Sequence, residues 1–410
     1  MKRLIPKPLL RAYHFFLAYF GAWRYGNPSK QLIVIGITGT KGKSTTAELA
    51  AAVLTEAGYT VAVASTIRFA IGAHSERNLF KMTMPGRFFL QQFLRKAVDA
   101  GATHAVIEMT SEGAVQFRHR GIDMNALIFT NLAPEHLESH GSMERYVAAK
   151  LSIAEALSRS PKRPRIIVAN ADDTYGAAFL NIDADIHAPF SLKDAEPYTA
   201  DDTSVRFVWR GMLITMPLPG VFNLKNALAA LTLGEALDIP ITTMKKALEH
   251  MIAVAGRAER VEKGQPFSVI IDYAHTPDSL KALYETYANH RIIGVLGSTG
   301  GGRDTWKRKE MGALAESFCA VAILANEDPY DEDPQHILAD LAEGFTTKKP
   351  RIILDRRDAI RAALEEAQPG DAVLITGKGT DPYIMGPHGS KEVWSDKAVA
   401  EEELAKLGYT

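Results

Sequence analysis

A chain of 410 residues is too long for one ordinary hydrophobic core, so two domains and an appendage are expected. Its 46% hydrophobic content excludes a disordered chain, and a formal net charge of −1 leaves no global pull toward nucleic acid. The single cysteine, Cys319, excludes an intrachain disulfide and fits a reducing cytoplasm, where ATP is also found.

Residues 1–30 carry Lys2, Arg3, Lys7, Arg11, Arg24 and Lys30 but no acid; the first acidic residue is Glu48. Tyr13, Phe15, Phe16, Tyr19, Phe20, Trp23 and Tyr25 crowd into the same stretch. The uncharged run 15–23 is too short to span a bilayer and makes a poor signal peptide. Two readings stay open: a helix packed on the domain that follows, or a basic aromatic helix lying on an anionic membrane.

The apolar run 31–35 then reads as a strand and 45–57 as a helix. Between them stand Gly36, Gly39 and Gly42, followed by Lys43 and Ser44. Glycines let backbone N–H groups approach phosphate oxygens, and the helix N-terminus adds a positive dipole. Lys43 is placed to reach the β- and γ-phosphates and the Ser44 hydroxyl to ligate Mg²⁺. The strict pattern G-x-x-x-x-G-K-[ST] is broken, because Ile37 occupies the first glycine position. The flanking strand and helix still favour ATP or GTP binding over a chance glycine turn.

Further strands are expected at 59–66, 104–109, 126–132 and 165–170, with helices at 88–100 and 143–158. This alternation predicts an α/β fold with a parallel sheet. Residues 213–218 read as an extra β excursion and 244–253 as a helix. A second series at 267–273, 292–297, 321–325, 351–354 and 372–376 has no phosphate loop and predicts a Rossmann-like doubly wound domain. The expected organisation is therefore a segment 1–30, an ATP-binding domain 31–255 and a second domain 256–410. A cleft between two such domains is where a substrate would meet ATP.

Glu108 ends a strand expected beside the phosphate loop, where a carboxylate holds Mg²⁺ directly or through water. His136 belongs to NLAPEHLESHG at 131–141, just past another strand end, where two His and two Glu cluster. A structural histidine and a functional one are equally compatible with that pattern. Lys150, read from its local pattern, is a solvated surface lysine.

The stretches GTKGKST at 39–45, FTNL at 129–132, HL at 136–137 with HG at 140–141, and AK at 149–150 resemble the Mur ligase family. So do NADD at 170–173, GVFNLKN at 220–226, GR at 256–257, DYAHTPD at 272–278, GGRD at 301–304 and GKG at 377–379. The likeness runs from about 31 to 395 and is strongest to the MurE type. That type adds the third residue to UDP-MurNAc-L-Ala-D-Glu with ATP and Mg²⁺. The resemblance implies that Gly39, Thr40, Lys41, Gly42, Lys43, Ser44 and Thr45 hold the ATP phosphates. It implies adenine contacts from Asn223 and Asn226, a γ-phosphate contact from Arg257 and a ribose contact from Asp272. Ser44 and Glu108 would hold one Mg²⁺. His136 would hold a second metal beside a carbamylated Lys150. His275 is either a helper for the incoming amine or a residue that holds the turn before Pro277.

On the substrate side the family's Thr-Thr-Pro stands as Thr83, Met84 and Pro85, and its Ser-Ser-His as Thr110, Ser111 and Glu112. Gln116 and Arg118 match positions that touch the muramyl peptide. In diaminopimelate enzymes an Asp-Asn-Pro-Arg motif pairs its Arg with the distal carboxylate; here residues 327–330 read EDPY, with Asp328 and Tyr330. The family's Gly-Lys-Gly-His-Glu stands as GKGTD at 377–381, with Gly377 and Asp381, while Arg303 is retained for an α-carboxylate. Residues 1–30 stand where the family has a UDP-gripping domain, so a lipid-linked or UDP-free substrate is an alternative. The reading is an ADP-forming amide ligase of cell-wall assembly. It acts on a muramyl-peptide-type substrate and an amino acid, as a cytoplasmic monomer with no nucleic-acid partner, its residues 1–30 either packed on the core or in peripheral membrane contact. The alternatives are a folylpolyglutamate-synthetase-like ligase and a binding protein that kept the fold.

Overall fold

The computed structural model describes residues 7–135 and 137–410. The chain divides into two compact units. The first runs to Thr199 and adds Arg206–Met216 and Phe222–Met251; the second comprises Ala200–Val205, Pro217–Val221 and Ile252–Thr410.

The first part of the chain opens with α1 (Lys7–Arg24), β1 (Ile33–Thr38), α2 (Lys43–Glu56), β2 (Val61–Ala64), β3 (Arg68–Ile71) and β4 (His74–Arg77). It continues through α3 (Arg87–Asp99), β5 (His104–Glu108), α4 (Ser111–Val115), β6 (Ala126–Phe129), α5 (Leu137–His140) and α6 (Met143–Ser158). Then come β7 (Ile166–Asn170), α7 (Gly176–Leu180), β8 (Ile186–Phe190), β9 (Tyr198–Ala200), β10 (Val205–Trp209), β11 (Met212–Met216), α8 (Val221–Ala236) and α9 (Ile241–Glu249). Strands β1 to β8 form one sheet in the order β4-β3-β2-β5-β1-β6-β7-β8. From β2 to β8 the neighbours are parallel, with Ile37 level with Glu108 and Thr38 level with Phe129. The chain leaves β1 to build β5 on one side and β6 on the other, so the loop after β1 lies at a switch point, where α/β sheets bind ligands.

The sheet is mixed rather than purely parallel, because β3 and β4 add an antiparallel edge. Every residue of β4 is exposed, so no apolar alternation announces it. The expected excursion at 213–218 is β11 of a separate three-stranded sheet with β10 and β9. The helix expected at 244–253 is α9, Ile241–Glu249, which begins directly after Pro240. Proline is well tolerated at a helix start.

One core lies on the first sheet, where Val34, Ile107, Leu127 and Phe129 pack with Leu94, Tyr146, Ile153 and Leu157. Each such fully buried aliphatic side chain contributes about 1.5–3 kcal/mol. Helix α1 lies against α3, where Gly21 faces Gln91 and the backbone of Arg87 and Phe88, while buried Ala18 and Ala22 lie against Gly121. Its aromatics point mainly outward, with edge contacts from Phe15 to Phe117 and from Phe20 to Phe88.

The second unit carries β12 (Glu259–Arg260), β13 (Ser268–Ile271), α10 (Pro277–Thr286), β14 (Ile292–Leu296), α11 (Lys307–Phe318), β15 (Cys319–Leu324) and α12 (Pro334–Ala342). After these come β16 (Arg351–Ile352), α13 (Arg356–Glu366), β17 (Ala372–Ile375), β18 (Tyr383–Met385), β19 (Lys391–Val393) and α14 (Asp396–Lys406). Its sheet order is β12-β13-β17-β14-β15-β16, parallel except for β12. The edge strand β16 is two exposed residues, shorter than the run of four expected from its composition. Cys319 is buried at the start of β15, and burial pushes its thiol up to about 12.

Candidate active site

The sequence between β1 and α2 folds as a tight glycine loop. Gly39 has φ +149°, and a Cβ there would lie 1.9 Å from Thr130 Oγ1. Gly42 has φ +81°, and a Cβ there would lie 2.2 Å from Asn226 Oδ1. Both positions therefore require glycine on conformational and steric grounds. The loop is tied to the end of β6: Thr40 N–H donates to Asn131 O at 2.8 Å and Lys41 N–H to Asn131 Oδ1 at 2.9 Å. Thr130 Oγ1 donates back to Lys41 O at 2.7 Å. The Thr40 hydroxyl lies 3.0 Å from Tyr146 Oη, and Lys41 pairs with Glu135 at 2.7 Å. Thr45 is buried in the first turn of α2.

The charged groups gather at the loop's mouth. Lys43 Nζ donates to the carbonyls of Gly39 at 3.1 Å and Thr40 at 2.8 Å. Ser44 Oγ donates to Glu108 Oε1 at 2.9 Å, and the second oxygen of Glu108 accepts from Thr66 N–H. Thr66 was not anticipated, since a backbone N–H leaves no mark in sequence. Lys150 Nζ donates to Gly39 O at 2.5 Å and lies 4.8 Å from the centre of the Tyr146 ring. Burial holds this amine well below the usual lysine range. Lys43 and Lys41 push it the same way, and Glu135 pulls against them.

The surface-lysine reading of Lys150 is overturned: the residue is buried on the inner face of α6. The signal was present, because Tyr146, Lys150, Ile153 and Leu157 share a helical stripe. Tyr146 itself was also missed, since an aromatic on that stripe reads as core. His136 lies outside the described residues; its neighbour His140 is buried with Nε2 3.1 Å from Ser111 Oγ. Asn223 and Asn226 sit on α8, 3.4 Å apart, and Thr46 Oγ1 donates to Asn226 Oδ1 at 3.3 Å.

The expected substrate residues of this unit come together beside Glu108. Thr83 Oγ1 is 2.8 Å from Thr66 Oγ1, and Met84 Sδ is 3.5 Å from Thr110 N. Arg118 donates to the Met84 carbonyl and, at 2.8 Å, to Gln116 Oε1.

The second unit assembles its own polar cluster. Arg257 stacks 4.4 Å from the centre of the Tyr273 ring, and Asp272 accepts from the backbone of Ala258 and Ala274, each at 2.6 Å. His275 Nδ1 lies 2.6 Å from Tyr273 O, the contact of a turn-holding residue. Buried Lys378 bonds Asp328 at 2.8 Å and the Tyr383 carbonyl at 2.7 Å, and lies 3.5 Å from Asp381. Gly377 has φ +103° and turns the chain against Glu327. Burial raises the Glu327 carboxyl, with Asp328 adding to it. Arg303 stacks 4.8 Å from the centre of the Tyr330 ring.

The chain matches the Mur ligase middle domain over residues 37–234 and the Mur ligase glutamate ligase domain over 256–379. It is 36% identical to a UDP-N-acetylmuramyl-tripeptide synthetase of Roseiflexus sp. (strain RS-1), over 99% of this chain and 85% of that one. A UDP-N-acetylmuramoyl-L-alanyl-D-glutamate--2,6-diaminopimelate ligase of Syntrophomonas wolfei is 34% identical over 95% of this chain and 81% of its own. Among solved structures, a ligase of the latter name superposes with TM-score 0.64 at 27% identity, covering 95% of this chain and 82% of that one. Mycobacterium tuberculosis folylpolyglutamate synthase, at 18% identity, shares the fold with TM-score 0.71 over 88% of this chain and 92% of its own. The chain belongs to the Mur ligase family of ATP-dependent, ADP-forming amide ligases.

Proposed function

We propose that the protein joins an amino acid to the terminal carboxylate of a muramyl-peptide precursor, as its tripeptide-synthetase relatives are named for doing. The carrying observation is the mouth of the phosphate loop, where Lys43, the Ser44–Glu108 pair and a buried Lys150 converge on the Gly39 turn. The loop's N–H groups and Lys43 orient the ATP phosphates for in-line attack by the substrate carboxylate. The carboxylate oxygen bonds the γ-phosphorus while the bond to the ADP oxygen breaks, giving an acyl phosphate. The amine nitrogen then bonds the acyl carbon, phosphate departs with the C–O electrons, and the amine sheds a proton.

The hydroxyl of Ser44 and the carboxylate of Glu108 are hard oxygen donors, the set expected for Mg²⁺ shared with phosphates. Bound there, the ion would neutralise charge on the phosphoryl oxygens. Carbamylation of Lys150 is part of this reading. Burial favours its neutral amine, the form whose lone pair adds to CO₂ with loss of a proton. The reading gives Asn223 and Asn226 to adenine, Asp272 to ribose and Arg257 to the γ-phosphate. Thr83, Met84, Thr110, Gln116 and Arg118 take the muramyl peptide. A monomer in the cytoplasm, with residues 1–30 toward the membrane, completes it.

For the amino acid, Arg303 serves the α-carboxylate. Glu327, Asp328 and Asp381 leave the neighbourhood of Lys378 rich in carboxylates, and Tyr330 offers no bidentate cation to a second carboxylate. A missing buried charge pair costs about 2–5 kcal/mol. Lysine or a neutral amino acid is therefore favoured over diaminopimelate. The test supplies UDP-linked and UDP-free muramyl dipeptides with ATP, Mg²⁺ and a panel of amino acids, read by mass spectrometry and phosphate release. An amide product with lysine or a neutral amino acid is expected. Diaminopimelate ahead by more than about tenfold in kcat/KM, ~1.4 kcal/mol, would overturn the amino-acid assignment. No product with any acceptor from folded, nucleotide-binding protein would sink the ligase reading.

A further inference from the structure

The outward side of α1 carries Leu9, Tyr13, Phe16, Phe20 and Trp23 at spacings of four, three, four and three residues, with Phe20 at its margin also meeting Phe88 of α3. On a 3.6-residue helix these form one stripe, opposite Ala18 and Ala22. Phe16 is 64% exposed and Trp23 67%. Phe16 stacks on Phe20 at 5.9 Å, and Phe20 meets Trp23 at 5.6 Å, so these three rings form a continuous aromatic surface. Residues 12–23 contain no Asp, Glu, Lys or Arg. A helix apolar on both sides requires cover on both, and α3 covers only one.

The charges name the occupant. The aromatic part of the stripe, 13–23, is bracketed by Lys7 and Arg11 before it and Arg24 and Lys30 after it, and no acidic residue occurs before Glu48. Basic residues flanking Phe, Tyr and Trp suit a layer whose headgroups are anionic and whose interior is apolar. A second copy of the helix fits less well. A coiled-coil seam is built from aliphatic side chains flanked by charged positions, whereas the outward stripe along 12–23 is aromatic and no Asp, Glu, Lys or Arg occurs there. From Leu9 to Trp23 the helix rises roughly 21 Å, short of the ~30 Å hydrocarbon core. No helix among the described residues is long and apolar enough to cross a membrane.

We propose that the outward face of α1 is a docking surface for an anionic lipid bilayer, with the helix lying in the plane of the interface. The surface is separate from the phosphate loop, and the inference stands whichever acceptor the ligase uses.

The test is co-sedimentation of the full chain with vesicles of phosphatidylglycerol and phosphatidylethanolamine, against vesicles of phosphatidylcholine alone. Binding to the anionic vesicles is expected at low salt, weakened at least about tenfold in high salt. The triple variant Tyr13→Ser, Phe16→Ser, Trp23→Ser should lose it, with ATP-dependent phosphate release unchanged. Should that variant fold poorly, brominated lipids provide the second measurement. They should quench wild-type tryptophan fluorescence, while Trp23→Phe still sediments but loses the quenching. Absence of sedimentation at low salt, equal binding to neutral vesicles, or unchanged quenching in Trp23→Phe each overturns the proposal. So does self-association in ultracentrifugation that the triple variant abolishes while no vesicle binding is seen.

Discussion

At the scale of single residues, burial decides what the side chains are. Lys150 is buried on the same stripe of α6 as Tyr146, Ile153 and Leu157, and its amine donates to the Gly39 carbonyl. Lys150→Ala is expected to lose nearly all ligation, with short carboxylic acids partly restoring turnover by supplying the missing carboxylate. Full activity in the folded variant, read by phosphate release, would remove the carbamate from the mechanism. His119 shows the same physics on a weaker base: burial, with Arg120 beside it, lowers its pKa to about 3, and the Ser152 backbone pulls the other way. The unfolded chain protonates this imidazole near 6.5, so between those values the unfolded state binds the extra proton. Its contribution is intact above 6.5 and is lost as pH falls. At pH 5 the loss from this group is about 2 kcal/mol relative to pH 7. His119→Gln should flatten that fall in denaturant-unfolding measurements at the two pH values, and an unchanged fall would refute the assignment.

At the scale of elements, the legible parts were those with a period or a motif. The strand–loop–helix of β1 and α2, and Glu108 level with Ile37 in the next strand, followed from apolar runs and glycine spacing. The hairpin β3–β4 did not, because its outer strand is exposed on both faces and its pairing depends on the neighbour already being in place. The stacking of Arg303 on Tyr330 was equally hidden, since Tyr330 sits at φ +53° in a turn set by contacts outside its own sequence window. In the second unit, helices α13 and α14 are locked by Arg356 and Asp396, both fully buried and paired at 2.7 Å. Arg356 also donates to Thr376 O at 2.7 Å, and Asp396 accepts from Trp394 Nε1 at 2.7 Å. Arg356→Leu leaves a buried carboxylate without its guanidinium and is expected to cost about 3–5 kcal/mol in unfolding free energy. A loss below about 1 kcal/mol would mean the site admits water readily.

At the scale of the whole molecule, nucleotide binding couples to stability by mass action. ADP with Mg²⁺ at a hundred times its Kd should add ~2.7 kcal/mol and raise Tm. Lys43→Ala, which removes an amine that donates to the Gly39 and Thr40 carbonyls, should keep its unliganded Tm, lose that rise and lose phosphate release. An undiminished rise together with full turnover would refute the phosphate-loop assignment. The two α/β units and the order of their motifs could be read along the chain, because each motif sits at a strand end that the fold repeats. The Thr66 partner of Glu108 and the Gly39 partner of Lys150 could not be, since contacts separated by 42 and 111 positions exist only once the sheet is built.

Buried Cys319 has a practical consequence. The thiolate is the reactive form of cysteine, and a thiol raised to about 12 beneath the surface of β15 stays protonated at neutral pH. The folded protein is thus a blank for thiol-directed reagents. A cysteine introduced on any solvent-facing loop becomes the sole attachment point for a dye or spin label, with no need to delete the natural one. Paired labels, one in each unit, would then report their separation through a catalytic cycle in the otherwise native sequence.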